Sequence, residues 1–180
     1  MLESVGDAAY IGAAQFLGSD PDALTAAGAI LSTEARHSAW IGSAIFQQEP
    51  WFGAFDTPLD QNQAYSLAAS FITSCPSSNP TLPFKAFQNL TVEGTPAAGE
   101  RIRLSYNDTS ASNETQYFAL FSGLNTTFAS ISDSKVVTLP EGLQGLVFAV
   151  VTSNGSAVSD ASTIAGPVAL SFPFGADASN

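Results

Sequence analysis

The chain has 180 residues, of which 45% are hydrophobic and only 12% charged, so its surface must consist largely of small uncharged side chains. Its formal net charge is −11, and its five basic residues are scattered without forming a patch. Because nucleic-acid affinity depends on cations that meet phosphates, we expect no nucleic-acid partner. No apolar run reaches the roughly 18 residues of a membrane-spanning helix, so we expect no membrane span either.

The N-terminal part of the chain has the periodicity of two helices. Apolar residues recur every three or four positions from Leu2 to Phe16, which predicts a helix over residues 2–17 with that stripe buried. Asp20 and Pro21 are a favourable N-cap and first helical residue, so a second helix is predicted over residues 21–46. The motif Glu34-Ala35-Arg36-His37, which contains the only histidine, falls on the apolar side of this second helix.

Residues 47–83 lose the helical periodicity of the first 46 residues and are rich in proline and aromatic residues. Trp51, Phe52 and Phe55 lie in a loop without a period, and we interpret them as core packing between the two parts of the chain, with an interaction surface as the alternative. Residues 60–72 predict a short helix, and a turn-rich segment follows it. Cys75 is the only cysteine, so an intramolecular disulfide cannot form; a buried free thiol is the expected state, and an intermolecular disulfide is the alternative.

From residue 84 onward the hydrophobic period becomes two, as in β-strands. Short strands with regularly spaced turns favour a β-sandwich of the immunoglobulin- or fibronectin-like kind, which makes the fold class α+β. The apolar run from Leu146 to Val151 is typical of a central strand, and Asn154-Gly155 predicts a type I′ turn. Strands are predicted near residues 86–92, 101–107, 115–121, 126–131, 135–139, 145–152 and 166–172.

Five Asn-x-Ser/Thr sequons lie in the second half of the chain. Their density favours a secreted, extracellular glycoprotein, and chance occurrence in a chain rich in Ser and Thr is the alternative. The candidate glycosylation sites are Asn89, Asn107, Asn113, Asn125 and Asn154.

Glu34 and His37 carry the clearest chemistry in the sequence. Residues three apart project from one face of a helix, and a carboxylate and an imidazole held in this way are the half-site of a ferritin-like di-iron or di-manganese bundle. The alternative is an ion pair or hydrogen bond between two half-buried polar side chains. Gly-x-Ser-x-Gly and phosphate-loop motifs are absent, so the sequence indicates neither a serine hydrolase nor a nucleotide-binding protein.

The first 80 residues resemble a known family. The resemblance is to the fungal secreted ferritin-like proteins of the stress-response or desiccation-related type. It implies that residues 1–46 are a ferritin-like helical hairpin, and the changes in composition and periodicity divide the rest into a connector over 47–83, a β-sandwich over 84–174 and a disordered tail over 175–180. It also implies that Glu3 joins Glu34 and His37 as a metal ligand. The matching segments are Leu2-Glu3-Ser4-Val5-Gly6, Ala9 to Ala14, Ile30-Leu31 with Glu34 to His37, Phe55 to Leu59 and Phe71 to Pro76.

The family's bundle has four helices, and this hairpin corresponds to two of them. Three candidate ligands are fewer than the usual set for two metals. We therefore expect a secreted, non-enzymatic glycoprotein without a cofactor. It would act by protein or cell-surface interaction, in a stress-related or immunomodulatory role. A second hypothesis is a homodimer that joins two half-bundles through the helices and holds iron or manganese, as a ferroxidase does. A third is a carbohydrate-binding β-sandwich.

Overall fold

The computed structural model describes residues 1–51, 53–108 and 114–174, and the predicted tail at 175–180 lies outside these ranges. Helices come first and strands follow, which confirms the predicted α+β class. The helices are α1 (Leu2–Ala13), α2 (Pro21–Trp40) and α3 (Gln61–Ala69). The strands are β1 (Leu90–Glu93), β2 (Arg101–Tyr106), β3 (Tyr117–Ser122), β4 (Asn125–Ser130), β5 (Val136–Thr138), β6 (Gly145–Thr152) and β7 (Thr163–Phe172).

Local capping explains where α2 and α3 begin. The Asp20 side chain accepts a hydrogen bond from the Ala23 backbone N–H at 3.0 Å, and Pro21 follows as the first helical residue. Asp60 and Gln63 form a reciprocal capping box at the start of α3. Short irregular turns extend the first two helices, a 3₁₀ turn over Ala14–Phe16 after α1 and a π turn over Ile41–Ile45 after α2. None of the helices in the described ranges is long and apolar enough to span a membrane.

The strands form two antiparallel sheets, one ordered β1-β2-β5 and the other β4-β3-β6-β7. Strand β2 alternates exposed and buried residues along its whole length, so its apolar side chains enter the space between the sheets. This arrangement confirms the predicted β-sandwich. Its core contains Leu90, Ile102, Leu104, Tyr106, Phe118, Leu120, Val137, Leu139, Val147, Ala149, Val151, Ala165, Leu170 and Phe172.

The centre of the four-stranded sheet is buried on both faces, whereas its edge strand β4 is largely exposed. Its inner face packs on the three-stranded sheet, whereas Phe148 on its outer face packs with Val5 and Ala8 of α1 and with Leu59. The helices therefore form a third layer on the sandwich. Burial on both sides explains why β6 is a continuous apolar run, because alternate residues of this strand enter two different cores.

The predicted buried stripe of α1 is wrong at its ends, because Leu2 and Phe16 are exposed. The buried residues of α1 are instead Ser4, Val5, Asp7, Ala8 and Gly12, most of which are small. Small residues face inward because other backbone approaches α1 closely there. The backbone N–H of Leu59 donates to the carbonyl of Ala8 at 3.0 Å, and a Cβ on Gly12 would overlap the carbonyl of Leu59.

Two further expectations are corrected by the structure. Cys75 is an exposed free thiol, because the turn that carries it lies on the surface. Asn154-Gly155 does not form a type I′ turn, since neither residue has the positive φ which that turn requires. The Asn154 side chain instead accepts hydrogen bonds from the backbone N–H groups of Ser156 and Ala157, at 2.9 and 3.3 Å.

Candidate functional site

Helices α1 and α2 pack as an antiparallel pair, and the predicted site residues lie between them. Glu3 contacts His37, and Gly6 faces Glu34. Higher residue numbers on α1 are therefore paired with lower residue numbers on α2, as in an antiparallel pair. A contact between the hydroxyls of Ser4 and Ser38, 3.3 Å apart, lies within the same seam. The pairing thus brings all three candidate ligands to one end of the hairpin.

Glu3 and His37 form a side-chain hydrogen bond between the two helices. Glu3 Oε2 lies 3.1 Å from His37 Nδ1, and the two side chains are 35% and 57% exposed. Solvent screens charges at this degree of exposure, so the pair contributes at most about 1 kcal/mol to stability. Its main effect is geometric, because it holds the imidazole over the first turn of α1.

Glu34 is held differently from His37, although both belong to one motif. Its carboxylate lies against Gly6, where a Cβ would overlap it. Its Oε2 atom is buried and has no hydrogen-bond partner among the described residues. Burial raises the pKa of Glu34, the negative charge of Glu3 raises it further, and His37 acts in the opposite direction.

Asp7 is a site residue that the sequence analysis missed. It is only 4% exposed, and its Oδ1 atom has no hydrogen-bond partner in the described part of the chain. Burial raises the pKa of Asp7 to about 6, a hydrogen bond with Ser38 lowers it, and the charges of Asp56, Glu34 and Glu3 raise it. The one sequence signal was its position four residues after Glu3, on the side of α1 that carries Ser4 and Ala8.

A second buried carboxylate, Glu49, was also missed. It follows the π turn after α2 and is 7% exposed. Together with Glu3, Ser4 and Ser38 it lines a cavity of about 140 Å³ at the end of the hairpin. No periodicity could have indicated Glu49, because it lies in an irregular segment.

The carboxylates of the described residues do not form a metal centre by themselves. No group of three or more His, Cys, Asp or Glu side chains in these ranges is arranged to hold an ion. Glu3, Glu34 and His37 are therefore close to one another without converging on a common point. Within one chain, the donor set does not fit a ferritin-like metal site.

The aromatic residues of the connector do not pack into the core as expected. Trp51 is 51% exposed and Phe55 is 64% exposed, while Phe52 lies outside the described residues. The core between the helices and the sheet is filled by Leu59 instead, which explains why the aromatic side chains remain on the surface. The core-packing interpretation is thus wrong for Trp51 and Phe55.

Comparison with known proteins supports the resemblance of the helical part to ferritin-like proteins. The model of a family described as a ferritin-like domain matches residues 1–47. This span contains α1, α2 and the π turn that ends at Ile45, together with all three candidate ligands. No curated protein matches the chain.

Proposed function

We propose that the chain is a secreted, non-enzymatic glycoprotein that acts by interaction with protein or cell-surface partners through its helical part. One observation carries this proposal. Among the described residues, every exposed large apolar side chain except Leu124 lies in residues 1–82. Large exposed apolar patches mark interaction sites, and residues 1–82 carry nearly all the side chains that could build one. The resemblance to fungal stress-response proteins supports a stress-related role, and an immunomodulatory role is the alternative.

A second copy of the chain is the first partner that we propose. Helix α2 has 20 residues, yet only Ala27 and Ser38 are buried, and Leu24 and Ile30 are exposed. A helix normally buries an apolar stripe. Two hairpins related by a two-fold axis would supply four helices and would cover this stripe on both chains.

The distribution of the sequons supports glycosylation of the β-sandwich. Asn89, Asn107, Asn125 and Asn154 are all exposed, whereas Asn113 lies outside the described residues. Glycans need solvent-facing attachment sites. Because these four lie in the β part of the chain, glycans there would leave the helical face free for a partner.

The dimer is tested with full-length protein secreted from eukaryotic cells. Light scattering after size-exclusion chromatography is expected to give twice the chain mass, and Ile30→Glu on α2 is expected to give a monomer. Leu124→Glu is the matched control, because Leu124 is 65% exposed but lies in the sandwich. A wild-type monomer at about 100 μM, well above typical dimer dissociation constants, would exclude the proposed dimer.

Glycosylation is tested on the same secreted protein by mass spectrometry before and after enzymatic removal of N-glycans. Glycans are expected on asparagines of the sandwich, and each Asn→Gln substitution should remove the mass of one glycan. A secreted chain that carries no glycan at any of the five sequons would contradict the glycoprotein proposal.

A dimeric metal-binding protein is the second candidate, and the unpartnered Glu34 Oε2 atom favours it. Glu3, Glu34 and His37 from two chains would give the carboxylate and imidazole donors that suit iron or manganese. Bound iron would supply Fe(II) oxidation by O₂. Elemental analysis of the dimer after anaerobic loading with Fe(II) tests this function, with His37→Ala as the variant. A dimer that retains no iron, or that retains as much in the variant, contradicts it.

A further inference from the structure

A small acidic chamber lies between α1, the connector and the outer face of the four-stranded sheet. Its volume is about 10 Å³, which is room for one water-sized sphere. Phe148 and Leu146 of β6 form its apolar wall. The oxygen-bearing residues of the acidic chamber are Ser4 and Asp7 of α1 and Asp56 and Thr57 of the connector.

Asp7 is the residue that distinguishes this chamber from an ordinary packing defect. Its side chain is almost completely buried, it lines the chamber, and its Oδ1 atom has no hydrogen-bond partner among the described residues. A buried polar atom without a partner loses its hydration and gains nothing in return. This atom therefore indicates that the chamber receives a ligand.

The charges around the chamber specify the sign of that ligand. Asp56 contributes a second carboxylate to the chamber, and the negative charges of Glu3 and Glu34 act on Asp7 from the hairpin seam. No Lys or Arg in the described ranges forms an ion pair with Asp7 or Asp56. A cation would neutralise this cluster, whereas a water molecule would leave it uncompensated.

We propose that the acidic chamber binds one Ca²⁺ ion, with the carboxylates of Asp7 and Asp56 as charged ligands and the hydroxyls of Ser4 and Thr57 as neutral ones. All four donors are oxygen atoms, which suit a hard cation rather than zinc or iron. Ca²⁺ accepts irregular sets of six to eight oxygens, and six are reached here if each carboxylate binds through both of its oxygens, whereas Mg²⁺ requires a near-ideal octahedron and gives up its water reluctantly.

The hydrogen bonds of the neutral donors are compatible with this role. The Thr57 hydroxyl oxygen accepts a hydrogen bond from the Gly123 backbone N–H at 2.9 Å, which fixes its position and leaves a second lone pair free. Ser4 shares one hydrogen bond with Ser38. The ion would join two residues of α1 to two residues of the connector, so it would fasten the helical layer to the segment that crosses it.

The test is equilibrium dialysis of the full chain against ⁴⁵Ca²⁺ after removal of metals with a chelator. One saturable site per chain is expected, together with a higher melting temperature in Ca²⁺ than in Mg²⁺. Asp7→Asn is expected to abolish saturable binding. Asp56→Asn lies at an exposed position, so we expect it to fold like the wild-type chain and to weaken binding at least ~10-fold, because affinity depends on the number of charged ligands.

Two variants control for general effects of charge and for the metal hypothesis above. Asp133→Asn removes one exposed carboxylate in a turn of the sandwich and is expected to leave the Ca²⁺ affinity unchanged. His37→Ala is also expected to leave it unchanged, because His37 does not line the chamber. The proposal is overturned if no saturable binding occurs up to about 10 mM, above the range of weak extracellular calcium modules. It is equally overturned if Asp56→Asn binds like the wild-type chain.

Discussion

Gly6 on α1 faces the Glu34 carboxylate on α2 so closely that a Cβ on Gly6 would overlap it. The absent side chain of one helix thus makes room for the carboxylate of the other. This relationship explains why Glu34 is drawn into the seam with a buried oxygen, whereas His37, three residues later, remains exposed.

Gly6→Ala is expected to expel the Glu34 carboxylate into solvent, because the overlapping atoms are the far end of a flexible side chain. The pKa of Glu34, which burial raises, should then fall toward its ordinary value. Stability should rise by up to about 1 kcal/mol, since alanine is the better helix former. Carboxyl ¹³C NMR titration and urea unfolding measure the two effects, and an unchanged Glu34 pKa would contradict the geometry.

Gly12→Ala is expected to have the opposite effect on stability, although it lies on the same helix. A Cβ there would overlap the Leu59 backbone carbonyl, which has no flexible end that can move away. The expected loss is about 1–3 kcal/mol, the usual cost of overpacking. Gly28→Ala in α2 is the control, because nothing lies within 4 Å of its added Cβ, and it should gain about 1 kcal/mol. Urea unfolding that ranks the two variants equally would disprove this difference.

Asp7→Asn is expected to change how stability depends on pH in calcium-free buffer. The pKa of Asp7 is raised from 3.8 to about 6, mainly by burial, with the charges of Asp56, Glu34 and Glu3 adding to it and the Ser38 hydrogen bond opposing it. A raised pKa stabilises the protonated fold below pH 4, and this stability is lost as the pH rises through about 6.

The asparagine variant should therefore lose that slope between pH 4 and 6. It should also be more stable than the wild-type chain at pH 7, by about 1–3 kcal/mol. Thermal unfolding across this pH range measures both effects, and Asp133→Asn should retain the wild-type slope. A variant with the wild-type slope would show that Asp7 is not the titrating group.

Asp60→Ala is expected to destabilise the chain by about 0.5–2 kcal/mol, because it removes the N-cap of α3. The Asp60 side chain accepts a hydrogen bond from the Gln63 backbone N–H at 2.8 Å, and the Gln63 side-chain oxygen accepts one from the Asp60 backbone N–H at 3.1 Å. Asp60→Asn keeps the acceptor and should retain most of the stability. Equal losses in the two variants, measured by urea unfolding, would mean that charge rather than capping matters.

The elements that the sequence predicts well depend on local chemistry. Asp20 with Pro21 and Asp60 with Gln63 determine where α2 and α3 begin, whatever packs on them. The hydrophobic pattern of a strand likewise indicates how many of its faces are buried. β2 alternates because one face is buried, and β6 is a continuous apolar run because both faces are.

The parts of the structure that the sequence does not predict depend on contacts between segments that are far apart in the sequence. Hydrophobic periodicity gives weight to large apolar residues, so it predicts that Leu2 and Phe16 lie on the buried face of α1. The backbone at Leu59 packs so closely on α1 that only small residues fit there, and Ala8 and Gly12 occupy that face instead. An aspartate on a helix is normally expected to face solvent. Asp7 is buried because the connector crosses α1 at Asp56 and Thr57. The residues next to Asp7 in the sequence give no indication of that crossing.

The shared sheet couples the two parts of the chain energetically. Phe148 is almost fully buried under α1 and Leu59, while its neighbours Val147 and Ala149 fill the core of the sandwich. Detaching the helices would leave Phe148, Phe121 and Leu146 as a bare apolar face. An exposed apolar face of this kind is prone to aggregate, so the ferritin-like segment protects the sandwich by keeping that face buried. We therefore expect the helices and the strands to unfold in one cooperative step.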